Sequence, residues 1–332
     1  MFSDVSELKD KKILVVGLGR TGVALTKFLV AHGVVVTVTD HKSKPELSVS
    51  LEQLEGVDVK YELGGHSPKT MLSQDLVILS PGVPATLKIF DYARTNGIKV
   101  TGEFEFSASF IKEPIIAITG TNGKTSTATL IHAMLRESGV RSWVGGNTAT
   151  PLVEYLSVTE KAAVVIAEVS CFMLELCEKF TPTNIVFTNL AESHLDRYRT
   201  MEDYINAKRR IFKNTNQSTT SILNADDSAV VELARDPAVQ RGRIFYFSRK
   251  PSLEPQIMNI GGGVNIGDDL RVRTGPEVEL FNVKGMRLRG RHSIENVMGA
   301  ILAAREHGGK HDAIQKVVTH FKGIPHRIEY VR

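Results

Sequence analysis

The chain has 332 residues, 42% hydrophobic and 23% charged, with a formal net charge of +4. That length suits two domains of a soluble globular protein, and no apolar run approaches the roughly 18 residues a membrane span needs. The mild charge, without a basic tract interleaved with aromatics, excludes a dedicated nucleic-acid binder.

The start, MFSDVSELKDKK, lacks the apolar core of a signal peptide, which points to the cytoplasm. In that compartment Cys171 and Cys177 are expected to form no disulfide, and their spacing matches no metal site. Lys12 to Gly22 (KILVVGLGRTG) reads as a buried strand running into G-x-G-x-x-G at Gly17, Gly19 and Gly22. A helix over Val23 to His32 and a second strand from Val34 to Thr39 follow. Asp40 then stands 18 residues after the last glycine. This βαβ pattern suits the diphosphate of a dinucleotide such as NAD, more readily that of another anionic nucleotide, with a purely structural glycine turn as the remaining reading. Further on, a strand at Leu76 to Leu79 ends in Ser80-Pro81-Gly82-Val83, a helix is expected over Leu87 to Asn96, and Lys99-Val100-Thr101 closes a doubly wound first domain near Gly102.

The second domain opens with IIAITGTNGKTSTATL, Ile115 to Leu130. A short apolar strand breaks at Thr119-Gly120, and a glycine-rich turn leads into a helix beginning near Lys124. Unpaired backbone N–H groups and the helix dipole favour an anion at such a turn. Lys124 adds a charge for β- and γ-phosphates, and the Thr125 hydroxyl is a magnesium ligand type. Ile118 occupies the usual first-glycine position, so the motif is a contracted GxxGKT that still predicts nucleoside triphosphate binding.

Ala163 to Ala167 and Ile185 to Thr188 read as parallel strands covered on both faces. Glu168 stands at the end of the first. Asn189 and a loop with His194 and Asp196 follow the second. If the strands are neighbours, Glu168 and His194 emerge at the P-loop edge; alone, they read better as a surface acid and a helix-capping or packed histidine, and only jointly, beside a P-loop, as functional. After Thr200, a plausible N-cap, MEDYINAKRRIF carries Met201, Tyr204, Ile205, Ile211 and Phe212 in one helical stripe that contains Lys208. Burial there would leave a neutral nucleophilic amine; the alternative is a stem lying along the apolar face with its amine in water. Beyond Asn224-Ala225-Asp226-Asp227, short segments at Ile244 to Phe247, Leu270 to Arg273, Val278 to Val283 and Met286 to Leu288 suggest an antiparallel meander, with Gly261-Gly262-Gly263 a turn. Helices are expected over Ile294 to His307 and Ala313 to Phe321.

Taken together, GLGRTG, SPGV, GTNGKT, the GGN at Gly145 to Asn147, NLAESHLDRY, YINAKRRIF, LNADD and PHRIE resemble the Mur ligases, ATP-dependent amide-forming enzymes of peptidoglycan precursor synthesis. The likeness runs from about Lys12 to the last residue. GLGRTG with SPGV resembles the members that add D-glutamate to UDP-N-acetylmuramoyl-L-alanine. The implied fold is α/β: residues 1–102 a Rossmann-like UDP-sugar-binding domain, 103–323 a central P-loop ATP-binding domain with a small antiparallel sheet, and 324–332 the stub of a C-terminal domain beyond the chain.

The resemblance implies that Gly17, Leu18, Gly19, Arg20, Thr21 and Gly22 face the diphosphate, and Asp40 with His41 the uracil. Ser80, Pro81 and Gly82 join that site, and Asn147 and Ser170 meet the sugar-peptide end. Gly120, Thr121, Asn122, Gly123, Lys124, Thr125, Ser126, Asn296 and Arg327 would contact ATP. Thr125 and Glu168 would hold one magnesium ion, and His194 and Lys208 serve a second, Lys208 being carbamylated; Lys124, His194 and Lys208 form the implied catalytic set. The family's usual E-[LV]-S-S-F-Q-L-E is here EVSCFMLE, with Cys171 and Met173 for a serine and a glutamine, and the acid usually before the motif histidine is Ser193. The implied partners are the UDP-sugar, D-glutamate and ATP, with a monomeric protein, no nucleic acid and no membrane. Because the family's third domain supplies a further lysine and aspartate, residues 1–332 are expected to bind the UDP-sugar without completing ligation. Three other readings are another Mur-type ligase, a protein that binds UDP-sugar or ATP without turnover, and an NAD-dependent dehydrogenase.

Overall fold

Five short parallel strands carry the first glycine-rich turn: β1 (Lys12–Val16), β2 (Val35–Asp40), β3 (Lys60–Leu63), β4 (Leu76–Leu79) and β5 (Lys99–Gly102), in the order β3-β2-β1-β4-β5. The computed structural model describes residues 2, 4–194, 197–288 and 290–323. Alternation along β1 sends Ile13 and Val15 to one face, where they pack with Val36, Val38 and Phe28. Leu14 and Val16 go to the other, with Val77, Leu79, Met71 and Phe90. Chain reversal after β1, after β2 and after β4 puts three loops at the carboxyl ends of neighbouring strands, where an open α/β sheet receives its ligand.

The second sheet has nine strands, ordered β14-β13-β12-β11-β10-β9-β6-β8-β7. They are β6 (Ile115–Thr119), β7 (Ser142–Gly146), β8 (Val164–Glu168), β9 (Asn184–Phe187), β10 (Thr220–Asn224), β11 (Arg243–Ser248), β12 (Gly262–Ile266), β13 (Asp269–Arg273) and β14 (Glu279–Asn282). Its core joins Ile116, Ile118, Val186 and Ile222 to the P-loop helix Lys124–Glu137 and the buried helix Arg291–Glu306.

Here the structure refines the sequence reading. The antiparallel segments are no separate sheet; β12, β13 and β14 extend the edge of the parallel one. Ile244 to Phe247 lies in β11, which runs parallel to β10 after a crossover through the helix Ser228–Leu233, so it belongs to no meander. Met286 to Leu288 forms no strand. Gly262 and Gly263 are strand residues, and a Cβ at Gly262 would lie 2.0 Å from the Tyr246 carbonyl oxygen. Glycine marks close backbone approach there as readily as a turn.

The chain packs as two compact units that interleave along the sequence. The first holds the chain up to Lys112 with Gly146–Lys161 and Cys171–Phe180. The second holds Glu113–Gly145, Ala162–Ser170 and the chain from Thr181 on. Between these two the sequence reading drew one boundary, at Gly102. Two buried acids just beyond it explain the difference. Glu103 Oε1 accepts the Val153 N–H at 2.8 Å, and the Glu105 carboxylate accepts the N–H groups of Lys179 and Phe180 at 2.8 and 3.1 Å. Backbone donors are thereby recruited from far along the chain.

Glu103 also yields a stability expectation. It is 1% exposed, and its Oε2 has no hydrogen-bond partner among the described residues. Burial pushes its carboxyl up to about 7, against the bonds from Val153 and Ser107. Between pH 4.5 and 7 the folded state therefore holds a proton that the unfolded state has released, so stability falls as pH rises through that window, by roughly 3 kcal/mol in all. Glu103→Gln should raise the melting temperature at pH 8 and change it far less at pH 5. An equal shift at both would show that the buried charge costs nothing.

Candidate functional site

In the first unit the three glycines of GLGRTG have separable jobs. Gly17 has φ 90° and donates its N–H to the Thr39 carbonyl at 2.8 Å. A Cβ on Gly22 would sit 2.0 Å from the Gly17 oxygen, so only glycine lets the helix Arg20–Ala31 start this close to the turn. At Gly19, the residue before that helix, a Cβ would meet nothing within 4 Å, which leaves the backbone open to an incoming group. These are the tight turn, close helix packing and open approach that a diphosphate site needs. Ser80 Oγ donates to the Gly17 carbonyl at 2.9 Å, tying the Ser80-Pro81-Gly82 loop to the turn.

A cavity of about 690 Å³ opens over this turn, lined by Gly17, Gly19, Arg20 and Thr21, by Asp40 and His41, by Ser80 to Gly82, and by Asn147. Leu18 is buried behind it. Asp40 is 6% exposed, and its oxygens accept the N–H groups of Leu18 at 2.7 Å and Lys42 at 2.9 Å. It braces the loop from within, while His41 beside it is exposed. The sequence reading did not single out Lys42, His66 or Met173 as cavity residues. The Gly64-Gly65 pair before His66 was the available signal.

In the second unit β6 ends at Thr119, and the turn passes through Gly120 (φ 137°) and Gly123 (φ 84°) into the helix beginning at Lys124. The Asn189 side chain brackets the turn: Oδ1 accepts the Asn122 N–H at 2.9 Å and Nδ2 donates to its carbonyl at 3.1 Å. Thr188 Oγ1 donates to the same carbonyl at 2.6 Å. Thr121 Oγ1 and Tyr204 Oη lie 3.1 Å apart. The loop is thus held open from behind, with the helix N-terminus in front. Lys124 Nζ donates to the carbonyls of Gly120 and Thr121 at 3.0 and 2.9 Å, and Ser126 lies in the helix's first turn. Asn296, 7% exposed on the helix Arg291–Glu306, packs so close to Gly123 that a Cβ there would fall 2.4 Å from its Oδ1.

Glu168 is the last residue of β8, in register with Ile118, and accepts the Thr125 hydroxyl at 2.7 Å. The two residues expected around one ion therefore meet. Lys208 is 2% exposed, its Nζ donating to the Gly120 carbonyl at 2.9 Å and lying 4.9 Å from the Tyr204 ring centre. Its amine does not reach water along the apolar face. The helix Met201–Arg209 that carries it is capped by Thr200, whose hydroxyl accepts the Asp203 N–H. His194 is exposed at φ 57°, with its ring 6.2 Å from that of Tyr204. Tyr204, read before only as part of an apolar stripe, neighbours both.

Among the described residues no three His, Cys, Asp or Glu side chains gather around one point. A divalent ion would rest on Thr125 and Glu168 with phosphate oxygens completing its shell, a hard-oxygen set that suits magnesium. Ser170, 8% exposed, follows β8 in the second unit, whereas Asn147 is in the first. Asp196, Arg327 and the segment 324–332 lie outside the described residues.

Comparison with known proteins decides the family. The Mur ligase middle-domain model matches residues 118–304, and the N-terminal domain model of MurD-like Mur ligases matches 11–102. A UDP-N-acetylmuramoylalanine--D-glutamate ligase of Bdellovibrio bacteriovorus is 74% identical over all 332 residues, which span 72% of that protein. The chain belongs to the Mur ligase family. The ligase of the same name from Geotalea daltonii is 41% identical over 329 residues, covering 98% of this chain and 70% of the relative.

Solved Mur ligases share the fold. UDP-N-acetylmuramate:L-alanyl-gamma-D-glutamyl-meso-diaminopimelate ligase from Neisseria meningitides matches with TM-score 0.60 at 15% identity, over 95% of this chain and 99% of its own. The UDP-N-acetylmuramate-alanine ligase of Thermotoga maritima matches with TM-score 0.55 at 19% identity, over 97% and 71%. In this Mur ligase the departures from the family pattern fall in different settings: Cys171 and Met173 are 1% and 4% exposed, Met173 on the cavity wall, while Ser193 is half-buried before His194. No helix among the described residues is long and apolar enough to cross a membrane.

Proposed function

We propose that this Mur ligase serves the joining of D-glutamate to UDP-N-acetylmuramoyl-L-alanine at the expense of ATP, as a cytoplasmic monomer, residues 1–332 holding the UDP-sugar and ATP while the family's third domain supplies the remaining catalytic groups. The observation that carries the reading is a pair of anion cradles, one in each unit: the turn at Gly19 under the cavity, and the GTNGKT loop with Thr125 and Glu168 joined at 2.7 Å. Residues of 1–102, with Asn147, hold the UDP-sugar. Residues of 103–323 hold ATP.

In the reaction the alanyl carboxylate oxygen attacks the γ-phosphorus of ATP. The P–O bond to ADP breaks, and an acyl phosphate forms. The amine of D-glutamate then adds to the acyl carbon, the tetrahedral intermediate expels phosphate, and the amine gives up a proton. The protein's share is position and charge. Backbone N–H groups at Gly123 to Thr125 face the phosphates, and Lys124 turns its amine from its loop carbonyls onto them. Asn189 and Thr188 keep the loop from collapsing into its own anion site. Magnesium, when bound, neutralises phosphate oxygens, and Thr125 and Glu168 would hold one ion. A second would use His194 and Lys208. For that role Lys208 would take up carbon dioxide as a carbamate, because a buried amine offers a divalent cation no oxygen and a carbamate does.

The test is magnesium-dependent nucleotide binding. ATP affinity should rise with magnesium in the wild type, and Glu168→Gln should remove most of that gain, about tenfold or more for a lost charged ligand. Binding of the UDP-sugar should stay unchanged in the variant. Equal magnesium dependence in both proteins would remove Glu168 from the ion's shell.

A further inference from the structure

The segment Leu63-Gly64-Gly65-His66, after β3, holds a histidine in a defined protonation geometry. Gly64 and Gly65 have φ 85° and 156°, and both N–H groups donate to the Asp40 carbonyl, at 2.9 and 3.1 Å. Glu62 fixes the far side, accepting the Ser67 N–H at 2.6 Å and the Thr70 hydroxyl. The Thr39 hydroxyl gives its single proton to the Gly65 carbonyl at 2.9 Å, and the same oxygen lies 2.9 Å from His66 Nδ1. Having no second proton, Thr39 can only accept, so His66 Nδ1 must carry the hydrogen. The neutral ring then presents its lone pair at Nε2, which has no hydrogen-bond partner among the described residues, on a half-buried side chain in the cavity wall.

The usual acid for the sugar hydroxyls in such a fold stands at the end of the second strand. Here that acid is Asp40, and its oxygens are engaged by the Leu18 and Lys42 N–H groups. The diphosphate, all acceptors, belongs at the Gly19 turn and has no use for another lone pair. Building on the UDP-sugar reading, we propose that His66 Nε2 accepts a hydrogen bond from the nucleoside of the bound nucleotide, from a ribose hydroxyl or the uracil N3–H. The groups facing the ring are Asp40 at the end of β2, His41 just after it and Glu62 from β3, with Phe90 of the packed helix Lys88–Thr95 6.5 Å away. Burial holds the imidazole below its ordinary range, against the pull of Asp40 and Glu62, which keeps the lone pair available at neutral pH.

The test titrates UDP-N-acetylmuramoyl-L-alanine, whose diphosphate is esterified at both ends, into wild type, His66→Ala and His66→Gln from pH 8 to pH 5. In the wild type affinity should fall about threefold to tenfold toward acid pH, as protonation removes the acceptor. His66→Ala should start weaker at pH 8 by a similar factor and lose the His66 part of the profile. His66→Gln should regain affinity through its carbonyl oxygen while staying flat. Analogues with 2′-deoxy, 3′-deoxy or N3-methyl uridine then locate the donor: the one lacking it loses affinity against the wild type and loses none against His66→Ala. The proposal falls if His66→Ala keeps the wild-type profile, if acid pH tightens binding through His66, or if no analogue shows that coupling. Failure of the wild type to bind any of these ligands would overturn the UDP-sugar reading itself, and this proposal with it.

Discussion

Gly120→Ala is expected to abolish measurable ATP binding and to destabilise the second unit by roughly 2–5 kcal/mol, combining overpacking with a strained backbone. The added Cβ would lie 2.0 Å from Thr188 Oγ1 and 3.1 Å from both the N and O of Asn189, at φ 137°. Thr188 cannot retreat cheaply, because its hydroxyl is committed to the Asn122 carbonyl. Any shift of residue 120 also moves the carbonyl on which Lys124 and Lys208 both rest. Thermal unfolding and calorimetry with magnesium-ATP measure the two effects. ATP binding at wild-type affinity would mean that the loop relaxes without losing its anion site.

Lys208→Ala is expected to lower magnesium-ATP affinity by roughly tenfold to a hundredfold, the range for a hydrogen bond to a charged group. It also leaves the Gly120 carbonyl without one of its donors. Lys208→Met separates the causes, since it fills the apolar stripe between Tyr204 and Ile211 without supplying an amine. In the wild type with magnesium and carbon-13 bicarbonate, a carbamate resonance should appear that is missing in both variants. Short-chain carboxylic acids should restore part of the lost affinity in Lys208→Ala, where there is room for them. A Lys208→Met protein that binds magnesium-ATP like the wild type would reduce Lys208 to packing.

What could be read from the residues was local. Both glycine turns are visible because part of their job falls within a few positions: Gly22 is dictated by the Gly17 carbonyl beside it, and Gly123 by the φ of 84° at the residue before its own helix, although distant Asn296 crowds it as well. Glu168 opposite Thr125 followed from placing two strand ends on one sheet edge, and Lys208 stood out because a lysine inside an apolar stripe breaks the helical pattern. What escaped depends on partners distant in sequence. Nothing near Glu103 or Glu105 announces that their carboxylates cap Val153, Lys179 and Phe180, so the interleaving of the units was hidden. Ile244 to Phe247 was read as antiparallel and proves parallel, since four apolar residues look alike in both ladders. Asp40 was visible as an acid in the right place; that its oxygens turn inward to Leu18 and Lys42 was not. His66 escaped for the same reason, its tautomer being set by Thr39 on β2, 27 residues earlier in the chain.

The central claim is that the GLGRTG turn serves a UDP-sugar in a ligase and not a nicotinamide dinucleotide in an oxidoreductase. Calorimetric titration of the 332-residue chain with UDP-N-acetylmuramoyl-L-alanine and, separately, with NAD tests it most directly. The account predicts saturable binding of the UDP-sugar and no heat of binding from NAD. Saturable NAD binding at micromolar concentration with none of the UDP-sugar would contradict it.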